Sequence, residues 1–248
     1  MDENIGNGVE ENIVEAESDL KPAGGLFASL LDIFIEPSKV FRRIDAGLEW
    51  WKGFIPLIII NLVIAWFSLP VQRAAVALNE RGASPEELER ALEMMEKFGP
   101  LGLIAVPIVI IVILLITAGL TNLLVNIISA KSDFKKCLSL VTFAGFIGML
   151  EQLISLIIVR SKGLSAVESV AELKPQIGLG ALFPDVEGFR AALMQSLTVF
   201  QIWYFILFVF GLSLIFKITR KKAAVPAVII WLVGLVIIFI SQKLSSMG

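Results

Sequence analysis

Apolar residues fall along this chain in two rhythms. In five stretches, at about 54–71, 101–128, 137–159, 197–216 and 223–240, they run almost unbroken. A helix rising about 1.5 Å per residue needs roughly 20 such residues to cross bilayer hydrocarbon, so each stretch predicts a transmembrane helix. Before the first of them the rhythm is amphipathic: Phe27, Leu30, Leu31, Phe34 and Ile35 recur at helical spacing, Pro37 interrupts, and Val40, Phe41 and Ile44 resume. Residues 24–53 are too short and too charged to span. They are expected to lie in the interface, with Lys39, Arg42 and Arg43 near anionic headgroups and Trp50 and Trp51 as an anchor.

Local signals refine the five spans. Pro56 falls in the first turn of span one and Pro70 at its far end. The following loop reads ASPEELERALEMMEKFGP, with Ser84 as N-cap, Pro85 at the first helical position and Glu87 completing a capping box. Leu88, Ala91, Leu92 and Met95 share one face, and Glu86 with Arg90 and Glu93 with Lys97 are spaced for ion pairs. This predicts a short helix on the bundle or the membrane surface, ended by Gly99-Pro100. In span three, Ala144, Gly145 and Gly148 are small residues that would let a neighbouring helix approach closely. Pro184-Asp185 followed by Val186, Phe189, Ala192 and Leu193 predicts another interfacial helix leading into span four.

Composition agrees with this pattern. Hydrophobic residues make up 56% of the 248 and charged residues only 18%, outside the range of soluble domains. The fold class is therefore an all-α polytopic membrane protein, a five-helix bundle over residues 54–248 with short amphipathic helices at its edge. Residues 1–23 contain seven of the 23 acids and few large apolar side chains, so they are expected to form a disordered acidic tail. A secretory signal peptide would carry positive charge there, and span one is expected to serve as its own insertion signal.

Charge placement orients the bundle. The short turns at 131–136 and 217–222 hold seven Lys and Arg, four of them Lys217, Arg220, Lys221 and Lys222. The loops at the other end hold eight across far more residues, mixed with acids. The positive-inside rule then places the N-terminus in the cytoplasm and the C-terminus outside a cell membrane.

Four segments follow in order along the chain: EPSKVFRRI with the WKGFIPLIII entry to span one, DFKKCLSLVTFAG entering span three, FQIWYFILFVFGLSLIFK in span four, and TRKKA turning into span five. In this order they resemble the Yip1 family of small polytopic membrane proteins, in its prokaryotic branch. Together they cover most of residues 26–235. The resemblance implies five spans with a cytoplasmic N-terminus. Eukaryotic members are associated with vesicle trafficking, small GTPase binding and membrane shaping. It brings no catalytic residues.

Candidate chemistry concentrates on Glu151, a carboxylate two thirds of the way along span three that costs on the order of 3 kcal/mol if charged and unpaired in hydrocarbon. It is expected to face the bundle interior, beside water or a retained proton. Gln152, Asn122, Asn126 and Asn61 are the further members of a candidate intramembrane polar site, with Thr117, Thr121 and Gln201 as additional polar partners. There is no histidine and one cysteine, Cys137, which excludes zinc and Ser-His chemistry and an intramolecular disulfide. No span carries an aspartate and no Walker-type loop occurs, so no enzyme, cofactor, metal or nucleic-acid partner is implied. Two functions remain: a non-enzymatic scaffold whose partners are the bilayer, another copy or another membrane protein, and a small transporter or channel built around Glu151.

Overall fold

The computed structural model describes residues 26–80, 84–129, 131–173, 177–183, 186 and 188–245. The expected acidic tail at 1–23 lies outside them, as do Pro184 and Asp185. Within the described residues eight α-helices follow in order: α1 (Leu26–Ile35), α2 (Pro37–Asp45), α3 (Trp50–Asn79), α4 (Pro85–Ser129), α5 (Phe134–Lys162), α6 (Gly188–Ser196), α7 (Val199–Phe216) and α8 (Arg220–Ser245). Three 3-10 turns lie between α5 and α6, and no strand forms among the described residues. Helices α3, α4, α5, α7 and α8 are long and apolar enough to cross a membrane.

Helix α5 is the axis of the bundle, packing against α3, α4 and α7, while α8 closes the circle between α7 and α4. Its start is set by Asp133, whose side chain accepts from the amides of Lys135 at 2.8 Å and Lys136 at 3.2 Å, filling donors a helix start leaves open. Its end falls at Gly163, whose φ of 80° suits a residue without Cβ. From Cys137 to Ile147 nearly every side chain is buried, Leu140, Phe143 and Ile147 completely.

Close helix approach occurs at glycines other than those the small-residue spacing in α5 points to. A Cβ on Gly211 of α7 would lie 2.5 Å from Leu140 Cδ1, and one on Gly53 of α3 would lie 3.0 Å from the Phe143 ring. Large α5 side chains thus fill notches on their neighbours. At Gly145 the nearest atom would be Leu57 Cδ2 at 3.5 Å, and at Gly148 nothing lies within 4 Å.

Two helices outrun their spans. Helix α3 continues nine residues past Pro70 to Asn79, and α4 joins the amphipathic segment to span two in one helix of 45 residues. At about 1.5 Å per residue α4 is roughly 68 Å long, over twice the hydrocarbon thickness, so the two helices project beyond it as a hairpin. The capping box forms as expected, with Ser84 N donating to Glu87 Oε2 at 2.8 Å and Glu87 N to Ser84 Oγ at 3.3 Å. Gly99-Pro100 does not end the helix. Pro100 removes one bond of the ladder, and continuity is supported by α3 alongside, through the Arg73–Glu96 ion pair at 2.9 Å and Leu69 beside Gly99.

The N-terminal pair forms an elbow at Glu36. Helix α2 is seated in the bundle rather than lying on the lipid surface: Val40 and Phe41 are fully buried, and Phe41 meets Phe210 of α7 edge to face at 5.8 Å. Arg43 reaches back to α1, pairing with Asp32 at 2.7 Å and donating to Ser29 Oγ at 3.0 Å. Its neighbours Phe41 and Ile44 are drawn into the core, which turns the guanidinium inward to a carboxylate and leaves its side chain 13% exposed.

Candidate functional site

Glu151 projects from α5 into the wall between two cavities and lines both. The first, of about 440 Å³, lies among α4, α5, α7 and α8. Its polar lining includes Thr117, Ser196, Thr198 and Gln201 beside Glu151, and its aromatic lining includes Tyr204, Phe208 and Trp231. Tyr204 and Phe208 stack with centroids 5.6 Å apart. The second, of about 490 Å³, lies between α3 and α5 and takes Ser68, Gly148, Gln152 and Ser155. Among the described residues no hydrogen bond or ion pair engages the Glu151 carboxylate.

Both cavities sit in the half of the bundle away from the basic turns. Thr198 caps the distal end of α7, accepting from Gln201 N at 2.9 Å, and an antiparallel bridge between Gly178 and Thr198 draws the long loop across that end. A Cβ on Gly178 would lie 2.6 Å from the Leu197 carbonyl oxygen, so the crossing needs glycine. In the opposite half, Phe41, Leu140, Phe143, Leu212 and Ala223 are fully buried and form the packed core.

Only part of the expected polar cluster comes together. Gln152 is exposed and borders the second cavity with Glu151. Asn61 donates to the Leu57 carbonyl of its own helix at 2.8 Å and lines neither cavity. Asn126 is exposed on α4, while Asn122, one turn earlier, has a buried Oδ1 with no partner among the described residues. Thr121 is likewise occupied within α4, donating to the Thr117 carbonyl at 2.6 Å. An amide one turn inside its own helix can satisfy itself locally, so composition overstated how many polar groups converge. Tyr204, Trp231 and Ser196 escaped the sequence reading, because aromatic residues in an apolar span look like lipid-facing ones.

The basic residues of the turns at 131–136 and 217–222 gather with the end of α2 at one end of the bundle. Asp45 accepts from Lys136 at 2.5 Å and lies 3.9 Å from Lys217, so the end of α2 meets the first turn of α5 and the residue that follows α7. Lys39 pairs with Glu36 at 2.7 Å; that hydrogen bond, then the carboxylate's charge, raises the Lys39 ammonium above its ordinary value. Arg220 lies over the Phe210 ring at 5.6 Å. Arg42, Lys221 and Lys222 are exposed.

A bundle of five apolar helices with a seated amphipathic elbow and its basic turns at one end defines a multi-pass α-helical membrane protein. The Yip1 domain model matches residues 31–241, and the chain belongs to that family. It is similar to the membrane protein YknW of Bacillus subtilis strain 168, with 25% identity over 214 residues, covering 85% of this chain and 87% of that one. No solved structure matches it.

Proposed function

We propose that this protein is a non-enzymatic scaffold of the cell membrane, whose N-terminal elbow inserts into the cytoplasmic leaflet and organises membrane shape or the position of another membrane protein. The observation that carries this reading is the outer face of α1. Phe27 is 81% exposed, Leu31 62% and Ile35 80%, one stripe at four-residue spacing, while the same elbow is fixed to the bundle through Val40, Phe41 and the Arg43–Asp32 pair. Three such side chains are worth roughly 5–9 kcal/mol when moved from water into hydrocarbon. Held at one end of the bundle, they would occupy one leaflet only. The basic turns at that end support a cytoplasmic position, with the N-terminus inside and the C-terminus outside.

Reconstitution tests the proposal. Vesicles containing the protein are expected to shift in diameter by cryo-electron microscopy, and a Phe27, Leu31 and Ile35→Ser variant to lose the effect without solute leakage in either case. Unchanged vesicle shape with both proteins would overturn it. Tags at the two ends test orientation, the N-terminal one being shielded in intact cells and the C-terminal one accessible.

The unpaired Glu151 favours a second reading, a small transporter or channel. The packed half around Leu140 and Phe143 speaks against a continuous aqueous path. Flux in proteoliposomes that is lost in Glu151→Gln would favour transport over the scaffold.

A further inference from the structure

The first cavity combines features that a packing defect would lack. Its volume of about 440 Å³ falls within the range of small-molecule sites, roughly 300–1,000 Å³. It follows α7 from Thr198 to Phe208, about 15 Å of helix, and so reaches from the distal end into the depth of the bilayer. Among the described residues Glu151 is its one charged group, and no Lys or Arg lines it. The same cavity is lined by Tyr204, Phe208 and Trp231; Phe208 is buried and stacked on Tyr204, which leaves Trp231 and Tyr204 as the aromatic groups able to attract a cation.

The cavity also has an apolar annex. A groove of about 260 Å³ between α7 and α8 shares Gln201, Phe205 and Trp231 with it and adds Leu197, Ile202 and Val228. Ile202 and Val228 are exposed on the outer surface of the bundle. A molecule with its charge in the chamber could therefore lay an apolar substituent toward lipid.

We propose that this chamber binds an organic ammonium ion bearing an apolar substituent, its charge paired with Glu151, its nitrogen among the aromatic side chains and its substituent in the α7 and α8 groove. Among the described residues the lining offers no cation for a phosphate, so the ligand is a free amine or quaternary ammonium rather than a phospholipid headgroup. This goes beyond the scaffold reading and does not depend on it: binding and vesicle shape are separate measurements.

The probe is benzyltrimethylammonium, titrated into the purified full-length protein in maltoside detergent, with binding followed by calorimetry. Saturable binding at one per chain is expected, with benzyl alcohol and benzenesulfonate failing to compete and added phosphatidylcholine competing at least about tenfold more weakly. Glu151→Gln, of the same shape, is expected to weaken binding by about tenfold or more. Gly234 lines the chamber, and a Cβ there would meet nothing within 4 Å, so Gly234→Phe plugs the space and is expected to abolish binding even if the Glu151 variant fails to fold. Absence of binding at millimolar probe, wild-type affinity in either variant, or equal competition by benzyl alcohol or phosphatidylcholine would overturn the proposal.

Discussion

Lys136 Nζ and Asp45 Oδ1 meet at 2.5 Å across 91 residues of chain, joining the end of the N-terminal elbow to the first turn of the central helix. One turn further along α5, Ser139 Oγ donates to the Leu48 carbonyl at 2.9 Å. These contacts fix the elbow where α5 begins. Both partners of the ion pair are 29% exposed, so a double-mutant cycle with Asp45→Asn and Lys136→Met is expected to show a coupling of about 1 kcal/mol in detergent unfolding. Strict additivity would mean that the pair does not hold the elbow.

The Asp32 and Arg43 pair is more enclosed, with side chains 21% and 13% exposed. Removing the carboxylate leaves the guanidinium with Ser29 as its remaining side-chain partner among the described residues. Asp32→Ala should destabilise the protein by on the order of 3 kcal/mol, and proteolysis near residue 36 should accelerate.

Glycine positions separate by what surrounds them. Gly211→Val is expected to cost about 2 kcal/mol or more, because its side chain would enter the space held by Leu140 and Phe41. Gly148→Ala opens into the second cavity and should gain roughly 0.5–1 kcal/mol from helix propensity. Thermal unfolding of the two variants in one detergent gives the comparison.

Asn122 holds a buried oxygen with no partner among the described residues. Asn122→Leu, similar in size, should therefore stabilise the fold by about 1 kcal/mol in the same assay. A loss of stability would show that the amide has a role the packing does not display.

Water access is expected to distinguish the two halves of the bundle. Cys137 is fully buried near the basic end, and the wild-type chain is expected to resist membrane-impermeant maleimides. Gln201→Cys in the distal chamber should label. Labelling of Cys137 at a similar rate would indicate a path through the core.

Five spans were legible in the sequence because insertion depends on the length and apolarity of each stretch, which are local properties. The capping box at Ser84 and Glu87 was legible for the same reason, since its partners lie three residues apart. Gly99-Pro100 misled, because whether a helix survives a proline depends on the helix packed beside it. Which polar groups converge was also beyond the pattern. Lipid is as apolar as a leucine core, so a spanning helix carries little periodicity to say which face turns inward. Only the packing of α5 against α7 and α4 decided that Glu151 shares a cavity with Gln201, Tyr204 and Thr117 rather than with Asn61 or Asn126, and that Arg43 pairs with Asp32. Contacts between side chains far apart in sequence follow from helix rotation and close packing, and those are settled by the whole bundle at once.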